Sequence, residues 1–393
     1  MKFSQFAPTI LSAFVVVLTL AGCAPPESES KIGVQDTDPF EDQIAEYIRL
    51  FPYQDTFNYA MRYTGGDPAK LNTWVPGGEP VLTRAGDDIV VRMNNDTYYN
   101  GAVVFLGNGP VVIASNAPTK DRFYSFQLMD DRNVNYRNFV RPDGEYTLYF
   151  GEKPEQIKGE AIEVPSELSI LLVRVEVKDK DDREDVAAAK AVYDGLTITA
   201  EASSEHPPAD WLGEFPQDVI DEANRRIDQM FAQSEFLDLV LRFGQEVGKD
   251  ISYLEHAAAT KGAWGAPDPS HSAYDTIFFD KNGEEMIGSK GSYSVTTEVP
   301  PVDGFWSITV YDAERGGYFH PNADDRYHYN GDTAVANDDG TFTFTFKQAC
   351  QAVDGNCLEV PPGQFDVLVR YYLPRPEVIA GEWVFPRVEL IAD

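Results

Sequence analysis

Thr341-Phe342-Thr343-Phe344-Thr345-Phe346 alternates hydroxyl and aromatic side chains without a fault. Successive side chains of a strand point to opposite faces, so this hexapeptide predicts a strand with one buried face and one wet face. Phe305 to Tyr311, Phe365 to Leu373 and Trp383 to Ile391 read as its companions. Asn282-Gly283, Asn330-Gly331 and Asp339-Gly340 supply turns between strands. The last third of the chain, from Tyr274 on, is therefore expected to be a β-sandwich.

Working back, a second strand-rich region runs from Val81. Its runs are Asp88–Met93, Gly101–Leu106, Val111–Ala114, Phe123–Met129 and Glu145–Phe150, punctuated by Gly, Asn, Asp and Pro. Leu168 to Val177 is the longest and richest in branched residues, and predicts a central strand. Between the two β regions the period changes. Charged residues 178–185 lead into an Ala-rich helical stretch, and residues 215–261 carry Val219, Ala223, Ile227, Met230 and Phe231 at three- and four-residue spacing, closed by Gly262. Ahead of the first β region, Ile44, Tyr47, Ile48 and Phe51 predict a helix of about two to three turns, broken at Phe51-Pro52. The fold class expected is mainly β with a helical middle.

The chain of 393 residues starts with Lys2, an apolar stretch from Ala13 to Leu20, and Leu20-Ala21-Gly22-Cys23. Basic end, apolar middle and small residues at the cut make a secretory signal, and the cysteine at the cut resembles a bacterial lipobox. Cys23 is then the lipidated first residue of the mature protein. Ala24 stands where an aspartate would argue for the inner membrane, so the expected place is the periplasm-facing leaflet of the outer membrane. The organisation expected is a lipoprotein signal peptide at 1–22, a flexible tether at 23–38, a helix plus β-sandwich at 39–180, a helical connector at 181–272 and a second β-sandwich at 273–393.

Sixty-four acidic residues against 32 basic ones give a net charge of −32. Nucleic acid needs clustered Lys and Arg and is a poor partner for this chain; the acidity reads as solubility through self-repulsion. Hydrophobic residues at 43% are ample for sizeable cores, and with no second long apolar run the mature body is expected to be soluble. With Cys23 committed to lipid, Cys350 and Cys357 remain. They flank the turn cluster Asp354-Gly355-Asn356, and an exported compartment permits a Cys350–Cys357 disulfide. No CxxC pair exists, and no metal or cofactor is expected.

Two polar stretches could carry chemistry. In Asn94-Asn95-Asp96-Thr97-Tyr98-Tyr99-Asn100, read as a loop directly after a strand, Asp96 could act as a base and Tyr98 could stack on a sugar. Tyr318 to His328 packs two histidines, two carboxylates and Arg326 into one loop, without the spacing of a metal site. Asp280–Glu285 superficially resembles a calcium loop but lacks its distal ligands, and reads as a hairpin turn. His206, His256 and His271 are isolated and read as structural. G-x-S-x-G, Walker, H-E-x-x-H and dinucleotide glycine signatures are missing from the sequence, which disfavours those enzyme classes.

The chain resembles the paired domain-of-unknown-function families 1254, at the N-terminal side, and 1214, at the C-terminal side. The first likeness rests on Asn95-Asp96-Thr97-Tyr98, Gly109-Pro110-Val111-Val112 and Asp121-Arg122-Phe123-Tyr124-Ser125. The second rests on Pro300 to Ser307, Tyr311-Asp312, Asn322 with Arg326-Tyr327, and Tyr372 to Val378. The resemblance implies an immunoglobulin-like sandwich in front and a jelly-roll sandwich behind, with helices between, and implies no settled activity. Leu50-Phe51-Pro52 departs from the Tyr-Gly-Tyr-Pro-like opening associated with the family, and the Cys350/Cys357 excursion departs from its usual cysteine-free loop.

The functional expectation is an envelope lipoprotein that binds a carbohydrate or other small ligand between its two sandwiches. Asn95, Asp96, Tyr98, Arg122, Asn322, Arg326 and Tyr327 are the candidate lining, and the lipid on Cys23 is the contact with the membrane. The alternative is a periplasmic hydrolase using Asp96 or Asp325 with Arg326. The opposing structural reading has each motif tying down its own sandwich, with Arg122 paired to Asp96 and Arg326 to Asp325. Residue types alone do not decide whether the protein is an enzyme, nor its oligomeric state.

Overall fold

The computed structural model describes residues 38–391 apart from 75–79, 88–91, 118–120, 202–204, 206, 208–212 and 234–245. Cys23, His206 and most of the Asp88–Met93 stretch lie outside the described residues. Four four-stranded sheets form two β regions around a helical middle.

The N-terminal β region pairs a sheet of order β1 (Thr97–Phe105), β7 (Leu168–Glu176), β3 (Tyr124–Met129), β4 (Asn135–Val140) with one of order β6 (Glu160–Glu163), β5 (Gly144–Tyr149), β2 (Val111–Ser115), β8 (Leu196–Thr199). Alternate residues build the shared core: Ala102 and Val104 of β1 and Leu171, Val173 and Val175 of β7 meet Val111, Ile113 and Leu148 of the other sheet. The intervening residues Val103, Phe105, Leu168 and Ile170 are also buried, against Ala60 and its neighbours on α1 (Pro39–Thr64). Burial on both faces explains why Leu168–Val177 reads as an unbroken apolar run. β7 is an inner strand, as expected.

Three elements depart from expectation. α1 runs 26 residues straight through Pro52. A proline removes one helical hydrogen bond, but Pro52 is buried, and the two halves of α1 pack on different partners. Burial on both sides outweighs the lost bond. Second, α2 (Arg183–Asp194), capped by the Asp182 side chain, lies in the stretch expected as a connector. Its Ala189 and Val192 pack into the N-terminal core, and β8 after it pairs with β2. Third, only Glu389–Ile391 of the expected Trp383–Ile391 strand is a strand, β16.

α3 (Gln217–Gln233) and α4 (Tyr253–Ala263) pack Val219, Ala223, Ile227 and Ala257–Ala259 against Ile44, Tyr47 and Ile48 of α1. Gly262 lies inside α4, and the left-handed residue that follows its end is Gly265, φ 72°. No described helix is long and apolar enough to cross a membrane.

The C-terminal β region pairs β12 (His328–Asn330), β11 (Trp306–Asp312), β15 (Phe365–Tyr372), β9 (Ser272–Ile277) with β14 (Asn356–Glu359), β13 (Phe342–Lys347), β10 (Ser292–Thr297), β16. Phe342, Phe344 and Phe346 of β13 enter the core, and the threonines between them are only half-buried, as the alternation requires. β13 and β14 are parallel neighbours joined by residues 348–355, and the Cys350–Cys357 disulfide pins that short connection. Asp280 accepts from the backbone N–H groups of Asn282 and Glu284 in the turn expected there, with Gly283 at φ 78°. A short helix, α5 (Pro376–Ile379), precedes the final strand.

Candidate functional site

β11 and β15 each send one set of side chains into the C-terminal core and the other set out of its back. Trp306, Ile308, Val310, Phe365, Val367, Val369 and Tyr371 go inward. Ser307, Thr309, Tyr311, Asp366, Leu368, Arg370 and Tyr372 take the other face, and all are buried. The segment Arg92–Asp96 at the threshold of β1 bonds Ser307, Tyr311, Asp366, Arg370 and Tyr372, while Tyr311 and Leu368 also pack with Phe319 and Tyr327. The two β regions therefore meet along a seam whose chemistry is polar.

Asp96 sits at its centre, 1% exposed. Its carboxylate accepts from the Ser307 hydroxyl and, at 3.4 Å, from the Tyr372 hydroxyl. Its own carbonyl accepts from the N–H of Val177 at 2.8 Å, and its N–H donates to the Asn94 side chain at 2.6 Å. The Asn94 amide also donates to the Tyr372 hydroxyl. The Asn95 side chain is hydrogen-bonded to His328 Nδ1. Asn94–Asp96 is therefore a side-chain-capped turn ahead of β1, and Thr97–Asn100 are already strand, whereas the sequence suggested a loop following a strand.

Arg370 completes the seam. Its guanidinium donates to the carbonyl of Arg92 at 2.7 Å, to the Tyr311 hydroxyl at 2.6 Å and to Thr309 Oγ1 at 3.0 Å. Burial works against its charge, but Tyr311, Tyr372 and Asp96 outweigh that and raise its pKa. Tyr311 donates to the carbonyl of Met93 at 2.5 Å. Arg92, at φ 50°, reaches Asp366 at 2.8 Å. His328 has its pKa pushed down to about 4, chiefly by burial, with Asp96 opposing. The ring is neutral at pH 7.

The other candidate residues hold separate ties. Arg122 donates to the carbonyl of Glu176 at 2.7 Å and pairs with Asp185 in the first turn of α2; it does not pair with Asp96. Arg326 reaches Asp181 at 2.8 Å, not Asp325, and thereby links the second β region to the approach to α2. Asp325 instead accepts from the Tyr327 hydroxyl at 2.7 Å, and that hydroxyl accepts from the N–H of Ala85 at 3.2 Å. Asn322 closes its own loop through both backbone groups of Arg326. Tyr98 lies in the N-terminal core, edge-on to Tyr193. Asn95, Asp96, Arg326 and Tyr327 thus reach across between the two halves, while Tyr98, Arg122 and Asn322 act within one. Asp96 and Asp325 share no hydrogen-bond partner.

Ser307, Arg370, Tyr372 and Asp366 were missed as site residues. The signal was present in Phe365–Leu373: Asp366 and Arg370 are charges in an otherwise apolar strand, and a buried charge demands a partner. Beside the seam, Glu176 accepts from the N–H of Phe123 at 2.8 Å, and burial lifts its pKa to about 7. Phe123, Phe305 and Tyr372 form an aromatic cluster across the same boundary. Among the described residues no group of three or more His, Cys, Asp and Glu is placed to hold a metal ion.

Comparison with known proteins gives the same division of the chain. Residues 79–200 match a protein family of unknown function, DUF1254, and residues 271–376 match another, DUF1214. No curated protein matches the chain. A crystal structure of the VPA0106 protein from Vibrio parahaemolyticus aligns with 90% of this chain and 100% of that one, at TM-score 0.70 and 17% identity, which shows a common fold. An uncharacterised protein from Burkholderia cenocepacia aligns over 90% of each chain at TM-score 0.46 and 12% identity.

Proposed function

We propose that this chain, a DUF1254 region followed by a DUF1214 region, is a lipid-anchored envelope protein that binds a carbohydrate or other small ligand and does not transform it. One observation carries the reading. Of the motif residues, Asn95, Asp96, Arg326 and Tyr327 are taken up by holding the two β regions together, and Arg122 is paired within the first of them. Ser307, Asp96 and Asn95 are buried to within a few per cent and satisfied by one another's halves. Asp96 and Arg326, the pair a hydrolase would share, are directed to different partners. We read the two β regions as an immunoglobulin-like and a jelly-roll-like sandwich; two four-stranded sheets over one core in each support this.

The anchor is tested by metabolic lipid labelling of the wild type beside Cys23→Ala. Label in the wild type alone is the expected result, and an unlabelled, freely soluble wild type would remove the anchor. The binding reading is tested by screening the purified mature protein against neutral and anionic oligosaccharides, with turnover followed by chromatography. Binding without cleavage is expected. Cleavage abolished by Asp96→Asn in a still-folded protein would make the seam catalytic.

A further inference from the structure

The outer face of the sheet β14-β13-β10-β16 alternates outward between the core phenylalanines, and it is a lattice of hydroxyls. Ser294 and Thr296 of β10 stand opposite Thr345 and Thr343 of β13, and the Thr296 and Thr343 hydroxyls are 2.8 Å apart. At one end of this face lies an open groove of about 320 Å³, lined by Thr296, Glu298, Thr341, Trp383, Val384 and Pro386. We propose that this groove is the saccharide subsite, and that it takes a mono- or disaccharide unit of a neutral glycan. The proposal rests on the binding reading above and gives it a place on the molecule, away from the seam.

A pyranose has an apolar face of C–H groups and a rim of hydroxyls. It needs an aromatic wall on one side and small polar groups around the edge. Trp383 supplies the wall. It is held edge-to-face against Tyr371 at 5.6 Å and Phe385 at 6.2 Å, and its backbone N–H donates to the carbonyl of Glu377 at 2.9 Å. Tyr371 is itself fixed by its hydroxyl on Asp275 at 2.7 Å. The ring is thus set in place before any ligand arrives, which lowers the ordering cost of binding. Val384 beside it is 66% exposed. The Thr341 hydroxyl donates to Asp339 at 2.7 Å and accepts from Asn337 at 2.9 Å, and the Thr296 hydroxyl is shared with Thr343, so these oxygens and the Glu298 carboxylate offer chiefly acceptor positions to sugar O–H groups.

Charge selects the class of glycan. The lining holds one carboxylate and no Lys or Arg, and the whole chain carries −32. A uronate, sulfate or phosphate would meet repulsion with no counter-charge. The volume sits at the lower end of the ~300–1,000 Å³ of ligand pockets, which suits one or two sugar rings.

The test is ligand-observed NMR on the purified mature protein with cellobiose, chitobiose and lactose as neutral probes and an oligogalacturonate as the anionic one. At least one neutral probe should bind, with affinity reduced at least tenfold by Trp383→Ala. Val384→Arg, at a position already exposed, should block the groove equally and guards against a folding defect in the first variant. Neutral binding that survives both variants would overturn the groove while leaving the binding function standing. Preference for oligogalacturonate would overturn the charge argument. Binding of none of the four would overturn the groove as a saccharide subsite, and the wider oligosaccharide screen described above decides the binding reading separately.

Discussion

At the scale of single residues, the molecule spends its most reactive side chains on structure. Asp96, Ser307, Arg370 and Tyr372 would look catalytic if open to solvent, yet each is buried and already satisfied. Removing one partner leaves another buried polar group unmet, which costs about 1–3 kcal/mol, and more where a charge is stranded. Glu176 gives this region a pH signature. Its pKa in the folded protein is about 7, above the ordinary 4.5, so the folded state holds a proton that the unfolded chain releases. Its contribution to stability is complete below pH 4.5 and is lost as pH rises through 7. Glu176→Gln should therefore flatten melting temperature against pH across that window, by an amount equivalent to about 3 kcal/mol. An unchanged profile would mean that Glu176 does not titrate there. His328 acts oppositely: kept neutral down to about 4, it costs stability as pH falls from its ordinary 6.5. The two effects are separable by comparing Glu176→Gln with His328→Gln.

At the scale of elements, two local devices fix the second β region. Gly304 donates its N–H to the carbonyl of Tyr372 at 3.1 Å, and a Cβ there would come within 2.5 Å of that oxygen. Gly304→Ala should push the Phe305–Ser307 segment off β15 and lower stability by about 1–3 kcal/mol. Equilibrium urea unfolding measures this, and an unchanged midpoint would show that the segment has room to shift. The Cys350–Cys357 bridge closes a short loop, and Cys350→Ala with Cys357→Ala should cost about 2–3 kcal/mol. Mass spectrometry of the non-reduced protein should show the linked peptide, whereas two freely alkylated thiols would refute the bridge. Much of this architecture was legible in the chain. The Thr-Phe alternation of 341–346 and the branched run at 168–177 each satisfy one simple rule of burial. Pro52 and the Asn94–Asn100 stretch were misread because local rules compete there with long-range contacts. Helix packing overrides the proline, and a β1–β7 pairing far away in sequence turns residues 97–100 into strand.

At the scale of the whole molecule, the partners of the motif residues could not be read from the sequence. Residues 92–96 meet residues 307–372, more than two hundred positions on, and no spacing rule links them. What the sequence did contain was a set of polar residues that a sandwich core has no use for. The structure gives four of them, Asn95, Asp96, Arg326 and Tyr327, a use in joining the two β regions. The central claim is that the seam is a joint and not a site. Calorimetric melting of wild type, Asp96→Asn and Arg370→Met, each followed by cellobiose and chitobiose binding, tests it most directly. The expected result is a fall in stability of about 1–3 kcal/mol for Asp96→Asn and about 3–5 kcal/mol for Arg370→Met, with sugar binding by the folded protein unchanged. Unaltered melting accompanied by loss of binding would contradict the account and return the seam to the role of a ligand site.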